Sequence, residues 1–191
     1  MSHEDVLSEV KGFMDSVVAL QLKKPIFLGI DPGSTGAISF LHPVSNEKAI
    51  AIDIPTTKVM TKKKGKPSYR THTDLGALWS IFKSFEDSFG KLHIVIEHQQ
   101  PIPRDTALTG FTVGRNFGMW PLFLYSHGVS HETVRPMAWK RKMGLIKKDK
   151  EAARLKAQKM FPGASLNRKK DHNRAEALLI AEYARLRSNE E

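Results

Sequence analysis

Four carboxylates in this chain of 191 residues stand where they could do chemistry together. Asp31 ends the apolar run Ile26-Phe27-Leu28-Gly29-Ile30 and is followed at once by Pro32-Gly33-Ser34-Thr35-Gly36. Glu97 ends a second such run, Leu92-His93-Ile94-Val95-Ile96. Asp171 and Glu176 flank the start of a late amphipathic segment. A carboxylate at the end of a central strand is held by rigid backbone and projects into the crevice where α/β sheets bind ligands. Adjacent strands ending in Asp31 and Glu97 could bring two such groups close, and Mg²⁺, which takes oxygen ligands, would relieve their repulsion. Asp171 and Glu176 are five residues apart and would lie on different faces of one helix, so Asp171 is expected at or before its first turn. Four acids can hold two Mg²⁺ ions. One ion lowers the pKa of a bound water and the other stabilises the leaving oxygen of an in-line displacement at phosphorus, with no Ser, Cys or His nucleophile.

Each acid also has a plainer reading. Asp31 could open an Asp-Pro-Gly turn, Asp171 could cap a helix, and Glu97 and Glu176 could be surface acids. The apolar stretch Ala177-Leu178-Leu179-Ile180-Ala181, suited to packing on a sheet, would carry Glu176 toward the strand ends. His98 and His172 each lie beside a candidate ligand, as proton shuttles or as hydrogen-bonded bystanders.

The charge balance points to a polyanionic partner. The formal net charge is +10, and residues 135–174 hold 14 Lys or Arg against 3 Asp or Glu, while the rest of the chain holds 16 against 17. A segment so charged repels itself unless something neutralises it, and nucleic acid would do so. Lys140, Arg141, Lys147, Lys148 and Lys150 are expected to hold phosphates. Arg168, Lys169, Lys170 and Arg174 surround Asp171 and Glu176, as suits phosphate next to metal. The chain has no cysteine, which excludes disulfides, thiolate zinc sites and a thiol nucleophile and fits a reducing compartment. No apolar run approaches the ~20 residues of a membrane-spanning helix, and no partner membrane is expected. The N-terminus lacks a hydrophobic signal region with an Ala-x-Ala cleavage site.

The elements that must position these groups follow from periodicity. Residues 1–24 read as a helix or a loosely attached arm, with Val6, Val10, Phe13 and Val17 at roughly helical spacing. Strands are expected at 26–31, 37–41 and 49–54, the third limited by Pro55. The basic segment with Lys58, Lys62, Lys63, Lys64, Lys66 and Arg70 is expected to be a mobile loop. Thr73-Asp74 caps a helix with Leu75, Leu78, Trp79, Phe82 and Phe85 on its apolar face, and Gly90 closes it. Then come a strand at 92–97, a loop at 99–110, a helix around 113–127, a strand at 131–135, and helices at 149–161 and 173–187. That order makes an α/β domain with a mixed sheet.

The ordered set Gly29-Ile30-Asp31-Pro32-Gly33, Ile96-Glu97 and Asp171-His172-Asn173-Arg174-Ala175-Glu176-Ala177-Leu178-Leu179-Ile180-Ala181 resembles the RuvC-type Holliday-junction resolvases of the ribonuclease H-like superfamily. Gly118-Met119-Trp120 and Thr133-Val134-Arg135-Pro136-Met137-Ala138-Trp139-Lys140-Arg141 bring it nearer to the monokaryotic chloroplast branch. The resemblance covers roughly residues 25–185. It implies a ribonuclease H-like mixed five-stranded sheet flanked by helices, with a nuclease domain over 25–188. It further implies a homodimer that nicks opposed strands of a four-way DNA junction with Mg²⁺ or Mn²⁺, in an organelle such as the chloroplast. The family's four metal-binding acids map to Asp31, Glu97, Asp171 and Glu176. Position 173 is Asn, so Asp171 is the third ligand.

Residues 103–119 correspond to the part that the chloroplast branch uses to read bases at the crossover. Phe111 and Phe117 could stack on unpaired bases or lie in the core of a helix start, and Arg104, Arg115 and Asn116 could contact base edges. Trp139 and Met119 read as core or dimer contacts. Two other classes compete. Asp-Pro-Gly-Ser-Thr-Gly after a strand also resembles the phosphate loop of actin-like ATPases and sugar kinases, which need a second glycine-rich loop that is missing from this sequence. A non-catalytic branched-DNA-binding module is the other, and bare acids in a DNA groove argue against it.

Overall fold

Among the described residues, short β-branched and apolar runs form five of the seven strands: β1 (Ile26–Asp31), β2 (Ala37–Leu41), β3 (Ala49–Asp53), β6 (Leu92–Glu97) and β7 (His131–Val134). The other two, β4 (Thr56–Lys63) and β5 (Lys66–Thr73), pair only with each other. The helices are α1 (His3–Val18), α2 (Leu75–Phe89), α3 (Ala107–Ser126), α4 (Pro136–Lys142), α5 (Lys150–Met160) and α6 (His172–Ser188), with a 3-10 turn at Lys169–Asp171 before α6. This computed structural model describes residues 3–18, 25–33 and 35–190.

The main sheet runs β3-β2-β1-β6-β7. β2 is antiparallel to β1 and to β3, whereas β6 is parallel to β1 and β7 to β6. The sheet is therefore mixed, five-stranded and flanked by helices, as the resemblance implies. β1, β3 and β6 share one direction, so Asp31, Asp53 and Glu97 all finish at one edge of the sheet.

Period-two alternation gives β1 and β6 two apolar faces. On one face Ile26, Leu28, Ile30, Ile94 and Ile96 pack with Leu78, Phe82, Phe85, Trp120 and Leu124 of α2 and α3, and with Val10 and Phe13 of α1. On the other, Phe27 and Val95 pack with Ala175, Leu178, Leu179 and Ala181 of α6, together with Ala153, Ala157 and Trp139. At Gly29 the two layers come into direct contact. A Cβ there would lie 2.0 Å from the Ala177 carbonyl oxygen and 2.6 Å from the Ala181 nitrogen, so only glycine lets α6 lie directly on β1.

Several expectations need correction. The N-terminal segment is a helix over its described part and is docked, since Val10 and Phe13 are buried and the Phe13 ring is 5.8 Å from that of Phe85. The side chains of Val6 and Val17, residues 19–24 and Ser34 lie outside the described residues. The basic segment expected to be a mobile loop is the β4–β5 hairpin. Lys64 and Gly65 take φ of 51° and 77°, as a two-residue hairpin turn demands, and Thr, Val and Tyr supply β-formers on either side. α3 starts at Ala107 rather than near 113, because Thr106 accepts a hydrogen bond from the Thr109 amide at 3.1 Å. α4 was not expected as a helix, although Pro136 at its first turn marks the start. Leu75, expected on the apolar face of α2, is exposed at its first turn. Asp74 does cap α2, accepting from the Ala77 amide at 2.9 Å, and Gly90 ends it.

Candidate active site

Asp31 and Glu97 end neighbouring parallel strands one residue beyond the paired Ile30 and Ile96. By alternation both side chains point to the face covered by α6. The α6 backbone, drawn close by Gly29, brings Glu176 over the same edge. All three carboxylates are buried, with exposures of 5% for Asp31, 7% for Glu97 and 5% for Glu176.

The surroundings of Asp31 and Glu97 disfavour charge. Burial, then the neighbouring Glu176 charge, raises the pKa of Asp31 to about 6, against the Gly33 amide hydrogen bond and the charges of Lys150 and His172. Burial, then the charges of Asp31 and Glu176, raises that of Glu97 to about 7, against the Trp139 hydrogen bond and Lys140. Each acid has one or more donors on it. Asp31 Oδ1 accepts from Gln99 Nε2 at 3.2 Å and from the Gly33 amide at 3.3 Å. The Trp139 indole N–H donates to Glu97 Oε1 at 3.3 Å. Lys140 Nζ lies 3.4 Å from Glu176 Oε1 and stands over the Trp139 ring, 5.1 Å from its centroid.

Asp171 is different. It lies in the 3-10 turn before α6, as its spacing from Glu176 required, but its side chain caps that turn and not α6. Its Oδ2 accepts from the Arg168 amide at 2.7 Å, and its Oδ1 from Arg168 Nε at 2.9 Å and Nη2 at 2.6 Å. Burial alone would raise its pKa, but the Arg168 hydrogen bonds and the Arg168 and Arg174 charges outweigh burial and bring it below the usual value. The structure thus couples three of the four expected acids and leaves Asp171 on its own arginine. Among the described residues no three His, Asp or Glu groups stand ready-made as a metal cage.

The oxygen-donor chemistry of Asp31, Glu97 and Glu176 nonetheless fits a hard divalent cation. Two buried carboxylates with raised proton affinity are groups that such an ion would relieve of repulsion. A cleft of about 760 Å³ opens beside Glu97, lined by His98, Gln99, Ile102, Arg135, Pro136 and Met137.

The expected phosphate and base contacts divide by burial. Arg104, Arg115, Arg141, Lys147, Lys148, Lys169 and Lys170 are exposed. Phe111 is exposed, whereas Phe117 is partly buried against the core with its ring 4.9 Å from that of His98, so the two readings of this pair split between them. Asn116 is half-buried and accepts from Arg115 at 3.4 Å. Arg174, expected at a phosphate, is instead 3% exposed and donates to both carboxylate oxygens of Asp53, at 2.7 and 3.1 Å. Lys140 is half-buried and already paired with Glu176.

Sequence reasoning missed the residues that hold the acids. Gln99 lies two residues beyond Glu97, on the side a strand would present. Trp139 reads as core and is fully buried, yet its indole nitrogen serves Glu97. Asn173, three before Glu176, donates to Thr35 Oγ1 at 3.2 Å and ties the start of α6 to the turn after Asp31.

No protein-family model matches the chain. Over 96 residues, 49% of its length, it is 33% identical to a Chlamydomonas reinhardtii protein named Holliday junction resolvase MOC1, chloroplastic, and the match spans 11% of that protein. Among solved structures it is similar to Thermus thermophilus RuvC in complex with a Holliday junction substrate, with 16% identity, a TM-score of 0.48, and coverage of 85% of this chain and 96% of that one. It is likewise similar to Thermus thermophilus RuvC in a second structure, with 18% identity, a TM-score of 0.48, and coverage of 86% and 96%.

Proposed function

We propose that this protein is a metal-dependent endonuclease that resolves four-way DNA junctions by paired nicks. The observation that carries this reading is the burial of Asp31, Glu97 and Glu176 at one edge of the sheet, where burial and mutual charge raise the proton affinity of the first two. The likeness of half the chain to a relative named as a Holliday junction resolvase supports the choice of substrate. The strongly basic 135–174 segment supports a polyanion.

Asp31, Glu97 and Glu176 would hold Mg²⁺ or Mn²⁺, and Asp171 joins them only by leaving Arg168. A bound divalent cation would supply an activated water and neutralise charge on the leaving oxygen. The protein's own groups prepare that chemistry. Trp139 and Gln99 fix the carboxylates of Glu97 and Asp31, and Lys140 offsets the charge of Glu176. His172, whose charge acts on Asp31, would exchange protons near it. Exposed cations Lys147, Lys148, Lys169 and Lys170 hold phosphates around the site.

Two opposed cuts need two sites, so the working unit is a homodimer. The exposed apolar side chains Leu108, Phe111, Leu122 and Tyr125 of α3 supply an unpartnered face for it. The chloroplast is the compartment this reading carries with it.

The test is cleavage of a four-way junction and of a linear duplex, each with Mg²⁺ or with EDTA. Symmetric paired nicks confined to the junction and to Mg²⁺ are expected. Equal cutting of the linear duplex, or cutting in EDTA, contradicts the proposal.

A further inference from the structure

The β4–β5 hairpin is a feature that the acid site does not use. Its strands pair over eight positions from Thr56↔Thr73 to Lys63↔Lys66 and, among the described residues, join no other strand. At ~3.3 Å per residue the ribbon is about 26 Å long. A lone two-stranded ribbon is marginal in water, and among the described residues this one covers no core cluster, so core packing does not explain its residues.

What it carries is charge and one apolar pair. Lys58, Lys62, Lys63, Lys64, Lys66 and Arg70 are all exposed, and no acid lies between residues 56 and 73. None of the six is in an ion pair among the described residues. Met60 and Tyr69 face each other across the ladder and are 64% and 65% exposed, on the same side as Lys58 and Lys62.

Its root lies beside the acids. β3 ends at the same edge as β1, the Ile54 amide donates to the Gly36 carbonyl at 3.0 Å, and Asp53 is paired with Arg174 of α6. A substrate lying across Asp31 and Glu97 therefore passes the base of the ribbon.

We infer that the hairpin is a DNA clamp, with Lys62, Lys63, Lys64 and Lys66 at its tip gripping the phosphates of a duplex arm next to the cut and Met60 and Tyr69 resting on the arm's groove. The inference rests on the nuclease reading above. A two-stranded ribbon is a shape that the major groove admits, and six unpaired cations match a phosphate backbone rather than a neutral or basic protein surface.

The experiment changes Lys62→Gln, Lys63→Gln, Lys64→Gln and Lys66→Gln together in the full chain. It measures binding of a four-way junction and of a linear duplex between 50 and 200 mM salt (roughly the range over which phosphate neutralisation shows). All four side chains are exposed, so the variant should melt with the wild type. The expected result is a fall in affinity on the order of tenfold or more for both DNAs near physiological salt, with a salt slope shallower by about 0.9 for each phosphate the variant no longer neutralises. Unchanged affinity and slope overturn the clamp, as does a change confined to self-association, which would make the ribbon an interface between two copies. Wild-type protein that binds linear duplex as well as it binds junctions defeats the junction reading, and the clamp is still decided by the slope. Wild-type protein that binds no DNA defeats both.

Discussion

Asp31 and Glu97 on one side, and Asp171 on the other, are buried acids in opposite surroundings. The first two are pushed toward protonation by burial and by the charges of neighbouring acids. Asp171 is even less accessible, yet three hydrogen bonds from Arg168 hold it ionised. The difference teaches where the folded chain leaves electrostatic work undone. A buried acid that already has its cation contributes to the fold. Acids that repel one another gain from an ion the chain does not contain.

The largest expected effect separates these two environments. Asp31→Asn removes a charged oxygen ligand and should lower junction cleavage by about 10³-fold or more, with binding retained. Without metal the same variant should melt higher than the wild type, because a repelling charge is gone. Asp171→Asn should do the reverse to stability. It weakens the pair with Arg168 and lowers the melting temperature by a few degrees, a modest loss because Arg168 is half exposed to solvent. Cleavage assays and thermal melts in EDTA check both. If Asp171→Asn abolishes cleavage and leaves the melt unchanged, Asp171 belongs with the other three acids and the contrast breaks.

Gly29→Ala tests the geometry that creates the coupled set. The added methyl would strike the α6 backbone, so the helix must lift off β1 and carry Glu176 with it. Overpacking of this kind costs about 1–3 kcal/mol, or roughly 2–4 °C of melting temperature per kcal/mol in a chain of this size. Cleavage should fall further than stability alone explains, because Glu176 is displaced while Asp171, ahead of the helix, keeps Arg168. A melt equal to the wild type would show that the layers are not pressed together at this point.

This division also marks what was legible in the sequence. The strand ends at Asp31 and Glu97 could be read because apolar runs bounded by Pro, Gly and acids have few other interpretations. The placement of Glu176 followed from the Ala177–Ala181 stretch, which needed a sheet to cover. Arg168 on Asp171 and Arg174 on Asp53 could not be read. A basic run looks the same whether its members face phosphate or fold back on nearby acids, and only packing decides. Gln99 and the indole of Trp139 were hidden for a related reason, since the partners of a polar group are set by residues far along the chain. The hairpin was missed because its charge suggested disorder, while its backbone pattern, Thr and Val, then Lys-Gly, then Tyr and Thr, already spelled two strands and a turn.

The smallest effects are in pH, and there the two environments should slope in opposite senses. An acid whose folded pKa is raised binds protons more tightly folded than unfolded. Its ionisation costs stability, and that cost develops as pH rises from the ordinary carboxylate range to about 6 for Asp31 and about 7 for Glu97. Melts in EDTA should therefore weaken between about pH 4 and 7, and Glu97→Gln should flatten part of that fall. Asp171, with its lowered value, stabilises the fold above its unfolded pKa and loses that contribution only as the solution becomes more acidic than that. In Mg²⁺, cleavage should rise with pH until Glu97 is ionised. Trp139→Phe deletes the hydrogen bond that favours the ionised form, so the rise should move to higher pH and the rate near neutrality should drop by about tenfold. Because the indole is also buried in the core, the pH midpoint rather than the rate decides its role. A slower enzyme with an unshifted midpoint would mean that Trp139 supports the helix packing and leaves the protonation of Glu97 untouched.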